Sequence, residues 1–191
     1  MFKKITTIAS LIFISNVGFT QTVDQLKKDN QKLKAENEAL KLSVNDLKAK
    51  VDLCNAIEKN KDVQVKSFTD FYDIKVLKCK GNKGEQTVTI ELLVTQNKVN
   101  QRFSFDYSNI YAYDQLGTKY SCLKIINSNN ESYNCEILTD IPMKFTIKIA
   151  NVLPGLESFK IVTSKVSTYN LSTYDKVADG VIEIRNLKIE W

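Results

Sequence analysis

The chain has 191 residues, of which 43% are hydrophobic and 26% are charged, and its formal net charge at neutral pH is +5. It contains no histidine, which excludes histidine-based catalytic triads and most transition-metal sites. A charge balance this mild does not indicate a nucleic-acid-binding protein.

Residues 1–20 have the pattern of a secretory signal peptide. Lys3 and Lys4 precede a short apolar run at 5–14, and small residues precede a predicted cut ahead of Gln21. The run is shorter than the ~20 apolar residues that a membrane-spanning helix needs. We therefore predict an exported protein, periplasmic or extracellular, with no stable membrane span after signal removal. A retained signal anchor is the alternative.

Residues 22–57 carry a seven-residue repeat that is typical of a coiled coil. One core column contains mainly valine or asparagine, and the other contains leucine at strict sevens. A stripe this narrow and long favours a partner helix over a globular core. The predicted coiled-coil interface consists of Val23, Leu26, Asn30, Leu33, Asn37, Leu40, Val44, Leu47, Val51 and Cys54.

The columns beside this core favour a parallel arrangement. In a parallel pair Glu36 would face Lys41 of the other chain, whereas an antiparallel pair would place the lysine columns against each other. Asn30 and Asn37 would each meet their counterparts, which holds the register and favours few strands. We predict a parallel homodimer. A trimer and a single amphipathic helix packed on its own domain are the alternatives.

From residue 61 to residue 191 the pattern changes to short alternating runs of β-branched and aromatic residues. Turn residues separate these runs, and residues 81–84 predict a hairpin between the second and third. The predicted strands lie near 63–68, 71–80, 87–95, 102–107, 110–113, 119–126, 133–138, 143–152, 158–164 and 181–191. The expected fold is mainly β, with a signal peptide at 1–20, a coiled-coil helix at 21–60 and an antiparallel, immunoglobulin-like β-sandwich at 61–191.

Four segments of the second half carry a family resemblance: 105–107, 113–120, 141–147 and 159–161. Their strand rhythm and Asp-x-x-Gly turn resemble the telokin-like, immunoglobulin-type sandwich domains of exported bacterial proteins. Those domains are mostly of unassigned function, so the resemblance implies a fold and no catalytic residue. The chain differs from them in having no lipid-anchoring cysteine and in carrying a coiled coil in front.

An exported chain with four cysteines permits disulfides. Cys122 and Cys135 bracket a polar stretch at 127–131 that predicts a hairpin turn, so the two cysteines would face each other and form a disulfide. Cys54 occupies a coiled-coil core position and would face its symmetry mate, which permits an interchain bridge. Buried thiols are the alternative for all three, and Cys79 fits that alternative best.

The sequence lacks the motifs that mark catalytic, cofactor or metal sites. It contains no glycine-rich phosphate loop and no calcium-loop spacing, so we predict no cofactor, no metal and no catalytic residue. Tyr107, Tyr111 and Tyr113 cluster before a turn at Asp114, and we predict these four residues as a ligand surface, since tyrosine suits interfaces and sugar faces. The alternative is that about half of the tyrosines fill the core. The loop at 167–179 is a further candidate.

These patterns predict an exported, non-enzymatic homodimer that presents a β-sandwich for binding or adhesion, or as a structural module of the envelope. The ligand would be an unknown protein or glycan. A carbohydrate-binding or carbohydrate-active module is one alternative. An accessory subunit whose coiled coil pairs with another chain is the other.

Overall fold

A computed structural model of the chain describes residues 3–60, 62–129 and 133–191. The chain divides into two compact units, Met1–Asp52 and Leu53–Trp191. Over the described residues, one helix precedes nine strands, and the second unit is an antiparallel, nearly barrel-shaped, sandwich-like sheet. Among these residues, no helix has the length and apolar character needed to cross a membrane. The predicted cleavage after residue 20 stays a prediction.

The helix, α1, spans Lys3–Lys59. No glycine or proline occurs from 19 to 80, and pairs such as Lys50 with Asp46, 2.7 Å apart at i,i+4, support an exposed helix. The helix ends where the Asn60 side chain donates hydrogen bonds to the carbonyls of Ala56, at 2.9 Å, and Leu77, at 3.1 Å. These bonds connect the last turn of α1 to the second strand within the second unit.

The strands follow in chain order. They are β1 (Gln64–Lys66), β2 (Tyr72–Asn82), β3 (Thr87–Gln96), β4 (Gln101–Tyr113), β5 (Lys119–Asn127), β6 (Asn134–Ile137), β7 (Met143–Ile149), β8 (Ser158–Asn170) and β9 (Lys176–Lys188). The β2–β3 hairpin confirms its prediction. Sequence reasoning was wrong in dividing β4 into two strands, and it ended β8 too early and began β9 too late.

Strand order in the sheet is β1-β9-β8-β4-β5-β7-β3-β2, with β6 paired to β4, and the pairs between these strands are antiparallel. β5 joins the two halves: Ser121 pairs with Tyr111 of β4, and Cys122 already pairs with Ile149 of β7. A bridge from Lys80 to Glu190 then brings the β2 edge to the C-terminal segment. This pairing nearly closes the sheet.

Alternating side chains of the strands fill one core between the two halves. Phe103, Phe105 and Phe145 are fully buried, with ring centroids 4.9–5.7 Å apart. Each large apolar side chain buried in this way contributes about 1.5–3 kcal/mol relative to exposure. The apolar faces expected for β7 and β9 are confirmed at Ile147, Ile149, Ile182, Ile184, Leu187 and Ile189, which are buried. Val181, which the same pattern placed among the apolar positions of the last strand, is 45% exposed.

The predicted Cys122–Cys135 disulfide does not form in this structure. β5 and β6 are not paired with each other: Cys122 pairs with Ile149, while Cys135 of β6 pairs with Phe103. Cys122 is a free thiol whose Sγ donates to the Lys124 carbonyl at 3.3 Å. The prediction of a hairpin was wrong because β5 crosses to β7 while β6 turns back onto β4. Residues 130 and 131 of the predicted turn lie outside the described residues.

Candidate functional site

The predicted coiled-coil face of α1 is open to solvent in the single chain. Its four leucines, Leu26, Leu33, Leu40 and Leu47, are 55–62% exposed. The remaining predicted core residues, Val23, Asn30, Asn37, Val44, Val51 and Cys54, are exposed as well. This face is therefore a row of mainly apolar side chains that the described part of the first unit leaves exposed.

A shallow groove of about 450 Å³ lies along this part of the helix and is lined by Asn37, Leu40, Lys41, Val44, Asn45 and Lys48. In a coiled coil, each core side chain of one helix enters a hole formed by four residues of the other. Asn37 donates its amide to the Leu33 carbonyl at 3.0 Å in the single chain. Four of the residues that line the groove, Asn37, Leu40, Lys41 and Val44, would form such a hole in the predicted coiled coil.

A second candidate site begins at a wide bulge in β4. Phe105 pairs with Val166 of β8, and the next paired residue of β4, Ile110, faces Ser164. Only Lys165 of β8 is therefore available opposite the four residues 106–109. A bulge of this kind re-aims side chains and interrupts the ladder, and bulges are common beside functional sites.

Hydrogen bonds within the bulge hold its shape. The Asp106 carboxylate accepts from the Ser108 hydroxyl at 2.7 Å and from the Asn109 amide at 2.8 Å, one bond on each oxygen. These bonds, that from Ser108 first, and the nearby Lys165 ammonium lower the pKa of Asp106. Tyr111 donates its hydroxyl to the Ser108 carbonyl at 2.7 Å. Asp106 is thus an ionised structural acceptor at neutral pH.

An open cleft of about 520 Å³ lies beside the bulge, and we call it the bulge cleft. β4, β8, β9 and the segment before β6 contribute its walls. In the ladder, Ser104 faces Ser167, which places these hydroxyls side by side. The cleft is lined by Ser104, Phe105, Asp106, Tyr107, Ser108, Tyr133, Lys165, Ser167, Tyr169 and Lys176. Six of these ten side chains carry hydroxyls, and two carry ammonium groups.

The loop between β8 and β9 holds a strained tyrosine near the cleft. Tyr174 has a φ of 60°, which is unfavourable for a bulky side chain, and it is 61% exposed. Asn170 maintains the loop by accepting from the backbone amides of Ser172, at 2.8 Å, and Thr173, at 3.1 Å. The Tyr174 ring lies 5.2 Å from the guanidinium of Arg102, whose strand partner Tyr169 lines the cleft.

The structure separates the residues predicted as a ligand surface. Tyr107 lines the bulge cleft, and its hydroxyl donates to the Leu123 carbonyl at 2.7 Å. Tyr111 supports the bulge and packs under the Lys119 ammonium, 3.4 Å from its ring centroid. Tyr113 lies half-buried two residues further along β4. Of the three tyrosines, only Tyr107 belongs to the lining of the cleft.

Asp114, the fourth predicted residue, is buried in the turn between β4 and β5. Its carboxylate accepts from the backbone amides of Leu116 and Thr118, both at 2.9 Å, and from the Tyr120 hydroxyl at 3.0 Å. Burial raises the pKa of Asp114, but the bonds from Thr118, Tyr120 and Leu116 outweigh burial and lower it overall. The structure gives Asp114 the role of a turn residue outside the cleft.

Sequence reasoning missed Ser104, Ser108, Tyr133 and Lys165, whereas Ser167, Tyr169 and Lys176 lie within the candidate loop predicted at 167–179. One signal was present: apolar alternation runs through Phe103 and Phe105 and resumes at Ile110, a shift of five residues that breaks the period of two. That shift indicates a bulge. It does not indicate which strand lies opposite.

Neither surface has the groups of a metal site, since the described part of the chain contains no cluster of three or more potential metal ligands among cysteine, aspartate and glutamate. No protein-family model matches the chain, and no curated protein is detectably similar to it in sequence. The function is therefore argued from the two surfaces.

Proposed function

We propose that this is an exported, non-enzymatic protein that forms a parallel coiled-coil homodimer through α1 and presents one β-sandwich-like domain per chain for binding. The observation that carries the proposal is the exposure of four leucines at strict sevens, each 55–62% open to solvent in the single chain. The signal-peptide pattern of residues 1–20 supports export. The strand rhythm supports an immunoglobulin-type sandwich.

Dimerisation would remove the exposed stripe from water. Full burial of one leucine side chain contributes about 1.5–3 kcal/mol, and four leucines per helix would enter the interface. In the single chain Lys41 pairs with Glu38 at 2.8 Å, and Lys32 pairs with Glu36 at 3.8 Å. Such exposed pairs contribute little to stability. Glu36 and Lys41 can therefore leave these partners and pair with each other between chains at small cost in free energy.

A dimer also suits a binding role. Two weak modules on one stalk engage a surface with repeated ligands more strongly than either module alone, because the second contact becomes intramolecular. Asp106, which lines the bulge cleft, and Asp114, in the turn outside it, accept hydrogen bonds that stabilise the backbone around them. These roles support binding over catalysis.

The solution mass tests the proposal. Size exclusion with light scattering on residues 21–191 is expected to give the mass of two chains. Leu33→Lys places a charge in the apolar stripe, and we expect it to yield monomers. Leu42→Lys is the matched control, because Leu42 is 71% exposed on the same helix but lies outside both core columns.

A non-reducing gel tests the parallel register. Cys54 occupies a core position, so a parallel pair would bring the two thiols together, and a reducible dimer should disappear in Cys54→Ser. A monomeric parent protein would refute the homodimer. In that case the stripe would serve a different chain, and recovery of a complex from native cells would identify an accessory subunit.

A further inference from the structure

We propose that the bulge cleft binds a short saccharide carrying carboxylate or sulfate groups. This inference concerns one domain and does not depend on dimerisation. It rests on the hydroxyls, tyrosines and lysines that β4 and β8 bring together there.

Charge is the first argument. Lys165 and Lys176 line the cleft, and Asp106 is its only acidic lining residue among those described. Both oxygens of Asp106 already accept hydrogen bonds from the bulge. Lys176 pairs with Asp179 at 3.5 Å, where both side chains are about half exposed, so this pair is weak and exchangeable. The ammonium groups of Lys165 and Lys176 can therefore contact an anionic ligand.

The hydroxyls and rings are the second argument. Ser104 and Ser167 offer hydroxyls that both donate and accept, which is what sugar hydroxyls require, while the Ser108 hydroxyl donates to Asp106 and can accept from a ligand. Tyr107, Tyr133 and Tyr169 combine an apolar ring with a polar tip. Such residues match a ligand that is apolar on its ring faces and polar at its edges. An isolated anion would use the lysines and leave the rings without a partner.

The third argument is rigidity and length. Lys165, Ser167 and Tyr169 alternate along β8, so they share one face at intervals of about 7 Å. β8 is held between β4 and β9 from Val166 to Tyr169, and Lys165 pairs with Val181 of β9 opposite the bulge. The row is therefore preorganised and spans about 14 Å, which suits an oligosaccharide better than a single ion.

Binding of defined probes by the purified protein tests the inference. Titration calorimetry would compare an oligogalacturonate, a sulfated heparin-type oligosaccharide, a neutral cello-oligosaccharide and an oligoglutamate peptide. We expect one site per chain for at least one acidic saccharide, weaker binding as salt rises, and little binding of the neutral sugar. Equal binding of the neutral sugar would overturn the role of charge.

Matched variants locate the site. Lys165→Ala should weaken binding by about tenfold, the contribution of one charge-assisted hydrogen bond. Lys160→Ala removes an exposed lysine from the same strand outside the cleft and should leave affinity unchanged. Tyr169→Ala should weaken binding while Tyr169→Phe retains most of it, because the ring persists. Circular dichroism and thermal melting would confirm that each variant folds.

Three results would overturn the inference. These are no binding of either acidic saccharide, equal losses in the Lys165 and Lys160 variants, and an oligoglutamate affinity that matches that of the saccharides, which would indicate a protein ligand. The Leu33→Lys variant separates this inference from the proposed dimer. It should bind each probe with the same affinity per chain even when it is monomeric.

Discussion

The indole of Trp191 covers Gly81 of β2. A Cβ added to Gly81 would lie 2.6 Å from Cζ3 of that ring, well inside van der Waals contact. The indole N–H donates to the Leu156 carbonyl at 2.7 Å, and the Gly81 amide donates to the Glu190 carbonyl at 2.7 Å. Glu190 and Trp191 thus contact the β2 edge, where the sheet nearly closes.

Gly81→Ala is expected to destabilise the second unit by about 1–3 kcal/mol, because the added methyl displaces a packed indole. Chemical denaturation followed by tryptophan fluorescence would measure the change, since Trp191 is the single tryptophan. Gly84→Ala is the control: its nearest neighbour would be the Asn82 side chain at 3.6 Å, an ordinary contact. Equal effects of the two substitutions would contradict the role of Trp191.

Asn37→Val is expected to raise the stability of the coiled coil and reduce its specificity. A buried asparagine holds the register and oligomer state at a cost in stability, and valine removes both effects. The midpoint of helix unfolding should rise, and light scattering should show a mixture of oligomers. Asn45→Val changes an exposed asparagine outside the core columns and serves as control. An unchanged unfolding midpoint in Asn37→Val would indicate that Asn37 lies outside the coiled-coil interface.

Asp114→Asn is expected to flatten the acid side of the stability profile. The folded-state pKa of Asp114 lies below its usual value of 3.8, so its contribution is present above that value and is lost as the pH falls through the folded-state pKa. Asparagine keeps an oxygen for the turn amides but does not titrate. Urea unfolding at pH 6 and at successive steps below pH 4 would compare the variant with the parent.

The matched change for this experiment is Asp62→Asn, at an exposed position outside the strands. Between pH 6 and the acidic pH values, this variant should lose as much free energy of unfolding as the parent protein does. An Asp114→Asn profile that falls as steeply as that of the parent would show that the turn does not depend on the ionised carboxylate.

Cys79 and Cys122 are expected to resist alkylation in the folded protein. Burial, followed by the charge of Glu190, raises the pKa of Cys79 to about 12, and burial raises the pKa of Cys122 to about 11. Because the thiolate is the reactive form, iodoacetamide at pH 8 should label both residues only after urea unfolds the domain. Mass spectrometry of peptides would assign the sites, with Cys122→Ser as the assignment control. Rapid labelling of Cys79 in the native state would contradict its buried position.

Local patterns gave the helix and most of the strands. The heptads around Leu33 predicted a continuous helix, and the alternation around Phe145 predicted a strand with one buried face. Both features depend on side chains a few residues apart, so their periods can be read directly. The oligomeric state of that helix, the export of the chain and its ligand stay predictions.

The bulge cleft could not be derived in the same way. Its side chains come from β4, β8, β9 and the segment before β6, and Tyr133 lies 43 positions before Lys176 in the chain. Alternation through Phe103 and Phe105 indicates a buried face but leaves open which strand lies opposite. The prediction that Cys122 pairs with Cys135 was wrong for the same reason, because the sequence does not show which strands are neighbours.

The sequence by itself determined the helical heptad face, the apolar face of each main strand and the absence of imidazole chemistry, because each follows from residue types and short-range spacing. Only the tertiary structure decided that β6 joins β4, that Trp191 packs on Gly81, and that Lys165 lies opposite the bulge. Many strands offer similar apolar faces, so local energetics barely distinguish their partners. The choice depends on how all the faces pack together in one core.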